Sequence, residues 1–345
     1  MKVIMIPDNH DYIKQLKNSL ESEGVDVTLM SYFHYAAPYN FLKIMILKLK
    51  GFNIFHIHFE YSFPFTFFMK FLIKFLKMLD YKIVWTAHDI YSEYIYKKLR
   101  SKEKSRWLYE NVDYKFVHYK SNLTRVKECF DVEINNVEVI FHPSFDYPNT
   151  ISREEARKSL GIPSSKKVLL SFGMIKRYKG QIELIKAFEK LDKSYFCLIV
   201  GSGKNDIETT EYIKNKAKQY KDRLLFIDKY IPEDEIQIYF NASDVVVLPY
   251  TEITQSGIVP LAQSFSKPVI ATDVGALSEM VIHGKTGLLI PPNDLNALEK
   301  SIKEIFAMDI NQMSKNAHSE GKKHSWENLA KQTIKIYRKV LDGKK

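Results

Sequence analysis

Short runs of β-branched and aromatic residues alternate along the chain with longer stretches whose apolar positions recur every three or four residues. KVIMI (2–6), VDVTLM (25–30), FNIFHIHF (52–59), YKIVWTA (81–87) and YKFVHY (114–119) predict five strands. KVLLSFG (167–173), YFCLIVGSG (195–203), RLLFID (223–228), DVVVLPY (244–250) and KPVIATD (267–273) repeat the scheme. These runs are apolar on both faces, as strands of a parallel sheet covered by crossover helices must be. The pattern therefore predicts an α/β protein with two doubly wound, Rossmann-like domains. The join falls in HPSFDYPNTIS (142–152), where Pro, Asn and Ser cluster. SREEARKSLG (152–161) then opens a helix, with Ser152 as its cap, acids in the first turn and Gly161 past its end.

Length agrees with two domains: 345 residues, 45% of them hydrophobic, suffice for two cores. The apolar run before Pro7 is too short for a signal peptide or a spanning helix, and the only cysteines, Cys129 and Cys197, form no disulfide framework. A cytoplasmic protein is the plain expectation. The net charge of +10 is uneven, because residues 40–130 carry 17 Lys and Arg against 8 Asp and Glu, leaving +9 in that window. Within it, FPFTFFMKFLIKFLKML (63–79) places Lys70, Lys74 and Lys77 on one face of an otherwise apolar helix. That helix reads either as a core element with a solvated stripe or as a surface for anionic headgroups at the inner face of the cell membrane. No nucleic-acid-binding motif accompanies the charge, so nucleic acid is not an expected partner.

Candidate chemistry concentrates where predicted strands of the second half end. After DVVVLPY the chain reads TEITQSGIVPLAQSF, in which Ser256 is a good N-cap and Pro260 lacks an N–H. The amides of Gly257, Ile258 and Val259 are then expected to be free at a helix start, where anions bind, with the polar side chains of Thr254, Gln255 and Ser256 beside them. FGMIKRYKG (172–180) ends another strand at Gly173 and supplies Lys176, Arg177 and Lys179. Cations beside a helix start suit a diphosphate. KYIPEDEI (229–236) offers backbone contacts to a base around Ile231.

SGIVPLAQSFSKPVIATDVGALSEMVIHGKTGLLIPPND (256–294), IKRYKGQIELIKAFEKL (175–191) and SWENLAKQTIKIYRKVL (325–341) resemble the nucleotide-sugar-dependent glycosyltransferases of the GT-B fold, in the family-4-like group of bacterial surface-polysaccharide type. FHIHFEY (55–61) and VWTAHDIY (84–91) carry a weaker likeness in the first half. The resemblance implies two domains facing a cleft: 1–148 on the acceptor side, 149–324 binding the nucleotide sugar, and a helix at 325–345 returning to the first domain. It implies that Glu279 belongs to the donor site. It also exposes departures. Retaining members typically carry two glutamates where this chain has Thr254 and Ala262, Glu252 stands off that spacing, and the usual donor-loop arginine is Met174.

For the chemistry, His88 matches the family's sugar-contacting histidine, and Asp89 beside it is a candidate base for an inverting reaction. Asp8, His10 and Glu60 also stand at predicted strand ends. Asp89 can equally cap a helix beginning near Tyr91. His56 and His58 share a strand face, yet no third ligand follows and the chain has no Asp-x-Asp pair, so no metal or other cofactor is expected beyond the nucleotide-diphosphate sugar as co-substrate. The expected partners are a nucleotide sugar, a glycan or lipid-linked acceptor, and an anionic membrane surface through residues 63–79. Two other functions stay open: a non-catalytic GT-B binding or stabilising subunit, and a nucleotide-sugar epimerase.

Overall fold

A computed structural model describes residues 1–31, 38–58, 66–88, 102–145, 147–254 and 256–343. The chain forms two compact units, one of residues 1–142 with 324–345 and one of residues 143–323. The junction falls at the start of the Pro-, Asn- and Ser-rich stretch 142–152, six residues before the boundary the resemblance implies, because the stretch after His142 is held by the second unit. Ser144 Oγ donates to the Gly321 carbonyl at 3.0 Å, and the Thr150 amide donates to Gln237 Oε1 at 2.8 Å.

The first unit holds a six-stranded parallel sheet in the order β2-β1-β3-β4-β5-β6. Its strands are β1 (Lys2–Ile6), β2 (Asp26–Leu29), β3 (Ile54–His58), β4 (Lys82–Thr86), β5 (Tyr114–Val117) and β6 (Val137–Val139). Alternation along the strands feeds two cores. Ile4, Ile6, Phe55, Ile57 and Trp85 pack on one face, and Val3, Met5, Ile54, Val84 and Phe116 on the other. The second face is closed by helix α1 (Asp11–Ser22) and by the terminal helix Trp326–Leu341, whose Leu329, Ala330, Ile334 and Tyr337 join its core. The first face is covered by α2 (Pro38–Leu49) and α3 (Thr66–Met78) among others.

The second unit has a matching sheet in the order β12-β11-β10-β7-β8-β9. It contains β7 (Lys167–Phe172), β8 (Tyr195–Val200), β9 (Leu224–Ile227), β10 (Val245–Leu248), β11 (Val269–Thr272) and β12 (Gly287–Ile290). β8 is buried along its whole length, as a central parallel strand should be. The helix Arg153–Ser159 opens with a full capping box, in which Ser152 and Glu155 satisfy each other's backbone amides. Ten of the strands follow the sequence pattern. β6 and β12 do not, because a three-residue edge strand with Glu138 at its centre and a strand begun by Gly287 carry too little of the apolar signal.

Candidate functional site

In the second unit, the carboxyl ends of β7, β8 and β10 are drawn together by glycines. Gly173, directly after β7, has φ +106°, and a Cβ on Gly201 after β8 would lie 2.0 Å from the Gly173 carbonyl oxygen. The basic loop then makes a single 3₁₀ turn at Arg177–Lys179, closed by Gly180 at φ +67°. A Cβ at Gly180 would meet the Pro249 carbonyl at 2.0 Å, so only glycine lets this loop press against the end of β10. The Thr251 amide donates to the Tyr178 carbonyl at 2.8 Å and fastens the two loops.

The three cations of this loop fare differently. Arg177 forks onto Glu183, with two bonds of 2.8 and 2.7 Å, and the Lys176 ammonium donates to the Asn205 carbonyl at 3.1 Å. Lys179 is only 9% exposed, yet its ammonium has no hydrogen-bond or ion-pair partner among the described residues. It stands beside Gly173 and Ile258, each near enough that a Cβ on Gly173 would touch both Nζ and the Ile258 methyl at 3.4 Å. The Tyr250 ring lies below it, centroid 5.6 Å away. Desolvation, and then the charge of Lys176, push the Lys179 pKa down to about 8. A buried ammonium without a counter-ion is costly, and an anion arriving there would relieve that cost.

The helix Ile258–Ser264 begins beside this lysine. Its start differs from the expectation in one respect: Gly257 is the cap residue, and Ser256 Oγ accepts from the Ile258 amide at 3.2 Å. A serine one place upstream of the cap still reaches that amide, so the Ile258 N–H is not free. Thr254, Ser256, Val259 and Pro260 are buried, and Gly257 and Ile258 half-buried. Gln255 lies outside the described residues. Glu279 is exposed on the short helix Leu277–Met280, which Gln263 ties to this region by donating to the Met280 carbonyl at 3.2 Å. Ile231 is buried in the loop after β9, two strands from β7.

In the first unit, the ends of successive strands carry a row of histidines. His58 closes β3, and His88 and His118 follow β4 and β5. His58 Nδ1 lies 3.1 Å from His88 Nε2, and His118 Nδ1 lies 3.0 Å from the Ile140 carbonyl. Tyr12 covers the row, edge-on to His88 at 4.7 Å, and Trp326 packs on Tyr12 at 5.1 Å. His56 stacks 4.1 Å from His58 and is held by Tyr337 Oη at 2.5 Å and Thr86 Oγ1 at 2.7 Å. Burial pushes all four histidines down, His56 and His118 to about 3. His56 and His58 thus spend ring nitrogens on hydrogen bonds rather than converging as ligands, and no group of three potential metal ligands occurs among the described residues. His88 likewise has both ring nitrogens in bonds to other imidazoles, unlike a side chain held open for a sugar.

Asp89 and Glu60 lie outside the described residues. His10 caps α1, its Nδ1 accepting from the Tyr12 amide at 3.2 Å, and Asp8 is half-buried nearby in sequence. The sequence reading missed His118, Tyr12 and also His142, whose ring lies 5.2 Å from that of His118. One signal was there to find, since His58, His88 and His118 recur at intervals of 30 residues, one per strand end.

A profile of the family described as glycosyl transferases group 1 matches residues 152–324, about half of the chain. The chain belongs to the group 1 glycosyltransferases. A D-inositol 3-phosphate glycosyltransferase of Corynebacterium urealyticum is 30% identical over an alignment of 247 residues, which covers 67% of this chain and 58% of that relative. The match therefore spans less than two thirds of the relative's length. Among solved structures, sucrose-phosphate synthase from Thermosynechococcus elongatus superposes with a TM-score of 0.77 at 19% identity, covering 99% of this chain and 100% of that one. The Anabaena HepE protein, solved with UDP and glucose, gives 0.74 at 16% identity over 98% and 99%. Both likenesses establish the GT-B architecture for this group 1 chain. Its departures are structural as well as sequential: Ala262 is 0% exposed, so the place of one expected glutamate is filled by a packed methyl group, and Thr254 is buried in the place of the other.

Proposed function

We propose that this group 1 glycosyltransferase moves a sugar from a nucleotide-diphosphate sugar to a glycan acceptor, carried on a lipid, in the assembly of a cell-surface polysaccharide. The observation that carries the donor half is the buried ammonium of Lys179, without a partner among the described residues, beside Gly173 and the start of the helix Ile258–Ser264. A diphosphate supplies the missing counter-ion, and the bound UDP of the Anabaena relative of the same fold supports that choice of ligand. In the transfer, the acceptor hydroxyl attacks the anomeric carbon, the bond from that carbon to the β-phosphate oxygen breaks, and the nucleoside diphosphate leaves. Lys179 and the amides of Gly257 and Val259 stabilise the charge that develops on the leaving oxygen. Arg177, committed to Glu183, contributes less.

The acceptor proton goes to Asp89 in an inverting reaction. His88 is the less suitable base, because both its ring nitrogens are already bonded. The surface-polysaccharide assignment rests on the Ser256–Gly257 form of the loop together with Thr254 and Ala262. A second reading, a non-catalytic GT-B binding subunit, is favoured by the packed methyl group of Ala262. One series of measurements tests both: thermal shift against a panel of nucleotide sugars, followed by turnover and the anomeric configuration of the product by NMR. Donor binding with turnover supports the enzyme, and binding without turnover on any acceptor supports the subunit. A retained configuration, or full activity in Asp89→Asn, removes Asp89 as the base.

A further inference from the structure

Two neighbouring helices of the first unit wear apolar side chains on their outer surface. In α2, Asn40, Ile44 and Leu47 are buried, while Leu42, Met45, Ile46 and Leu49 face solvent at the spacing i, i+3, i+4 and i+7. That spacing ordinarily marks the stripe a helix turns to its core. Here Leu42 is 57% exposed and Leu49 is 89% exposed. α3 repeats the arrangement, with Met69, Leu72 and Leu76 buried, and Phe71 and Met78 exposed, Met78 at 72%. Phe41 of α2 meets Phe71 and Phe75 of α3 at centroid distances of 5.4 and 5.0 Å, so the two outer surfaces are continuous. Single exposed hydrophobic residues need no explanation, but a contiguous patch does.

Charge indicates what covers the patch. Neither helix contains Asp or Glu, and together they carry five lysines. Lys48 is spent on the Asp80 carbonyl and Lys70 lies over the Trp107 ring, whereas Lys43, Lys74 and Lys77 are exposed and in no ion pair among the described residues. Among the described side chains of the two helices, the exposed ones are hydrophobic or purely cationic apart from the Tyr39 hydroxyl. A specific protein interface would pair donors with acceptors from both sides. A headgroup layer supplies the acceptors itself and receives the apolar side chains beneath it.

We infer that α2 and α3 together form a docking surface for an anionic lipid bilayer, with Leu42, Ile46, Leu49 and Phe71 among the acyl chains and the lysines at the phosphates. The sequence pattern pointed to 63–79 alone; α2 supplies more of the apolar area. This surface is independent of the donor site, so vesicle binding and sugar transfer can fail separately. The full chain is floated with phosphatidylcholine vesicles with and without phosphatidylglycerol. It should bind only the anionic vesicles, less at high salt. Lys74→Gln with Lys77→Gln should weaken binding roughly 25-fold, about fivefold per lysine. Leu42→Ser with Leu49→Ser should abolish it, with thermal melting unchanged because both positions are exposed. Equal binding to both vesicle types, or binding indifferent to both double variants, overturns the inference. So does a chain that ignores vesicles but dimerises until Leu42→Ser and Leu49→Ser make it a monomer, since the patch then faces a second copy.

Discussion

His88 Nδ1 lies 3.3 Å from His118 Nε2, and the direction of that hydrogen bond is set from its far end. The other nitrogen of His118 faces the Ile140 carbonyl, which can only accept, so His118 carries its proton on Nδ1. Its Nε2 must then accept from His88 Nδ1–H, and His88 Nε2 in turn accepts from His58 Nδ1–H. A backbone carbonyl thus fixes the tautomers of three imidazoles in succession.

The polarity of the row is measurable. In the ¹⁵N-histidine-labelled protein, long-range proton–nitrogen spectra should show His58, His88 and His118 all as neutral Nδ1–H tautomers. His118→Phe removes the anchor without adding a hydrogen-bonding group, and should leave His88 in a mixture of tautomers. A His88 protonated at Nε2 in the parent protein would refute the ordering.

The same burial makes the first unit sensitive to acid. The pKa values of His56, His58, His88 and His118 lie below that of an unfolded histidine, so between about pH 6.5 and the folded values the unfolded chain binds protons that the folded unit refuses. Stability is therefore complete above the unfolded pKa and declines as pH falls through it. At one unit below 6.5, His56 and His118, both pushed down to about 3, each remove on the order of 1 kcal/mol, and His58 and His88 act in the same direction. Denaturant unfolding followed at Trp85, Trp107 and Trp326, all three in the first unit, should lose at least roughly 2 kcal/mol between pH 7.5 and 5.5. A flat profile would mean that these rings are charged or hydrated in solution.

Lys179→Met should separate binding from folding. Removing a buried, uncompensated ammonium should raise the melting temperature of the ligand-free protein, while nucleoside diphosphate affinity and turnover should fall by two or more orders of magnitude, about 2.7–4 kcal/mol for a lost charge-stabilising donor. Because its pKa is lowered to about 8, diphosphate binding by the parent should weaken as pH rises above that value. Unaltered affinity in Lys179→Met would take the lysine out of the site.

Phosphate, rather than sugar or ribose, should dominate donor affinity, since Ala262 offers no acceptor to a ribose hydroxyl. The nucleoside diphosphate should bind nearly as tightly as the intact nucleotide sugar in calorimetry. Ala262→Glu should not restore activity, and should destabilise the second unit by several kcal/mol, because its methyl group is 0% exposed and a carboxylate there would be buried unpaired. Gain of activity would show that the position is open.

Much of this was legible in sequence because apolar strands and capping residues act locally. β7, β8 and β10 declare themselves by β-branched runs, and Ser152 and Glu155 by a four-residue motif. What stayed hidden depends on side-chain geometry and on strand order. Nothing local tells that Arg177 is spent on Glu183 while Lys179 is not, or that Ser256 reaches the Ile258 amide. The histidine row left only its 30-residue interval in the sequence, because its members meet through strand order. The exposed face of α2 was missed because its apolar spacing is that of a buried helix.

The split make-up of the first unit also bears on how the chain is synthesised. Residues 143–323 leave the ribosome as one uninterrupted block with their own sheet and core. The first 142 residues, although made earlier, lack Tyr337 for His56 and the helix Trp326–Leu341 for one face of their sheet until the second unit has been made. The usual order of domain completion during translation, amino-terminal first, is therefore reversed. The part made first is the part finished last, and a nascent chain stalled before residue 324 would present an unfinished sheet face to whatever chaperone attends it.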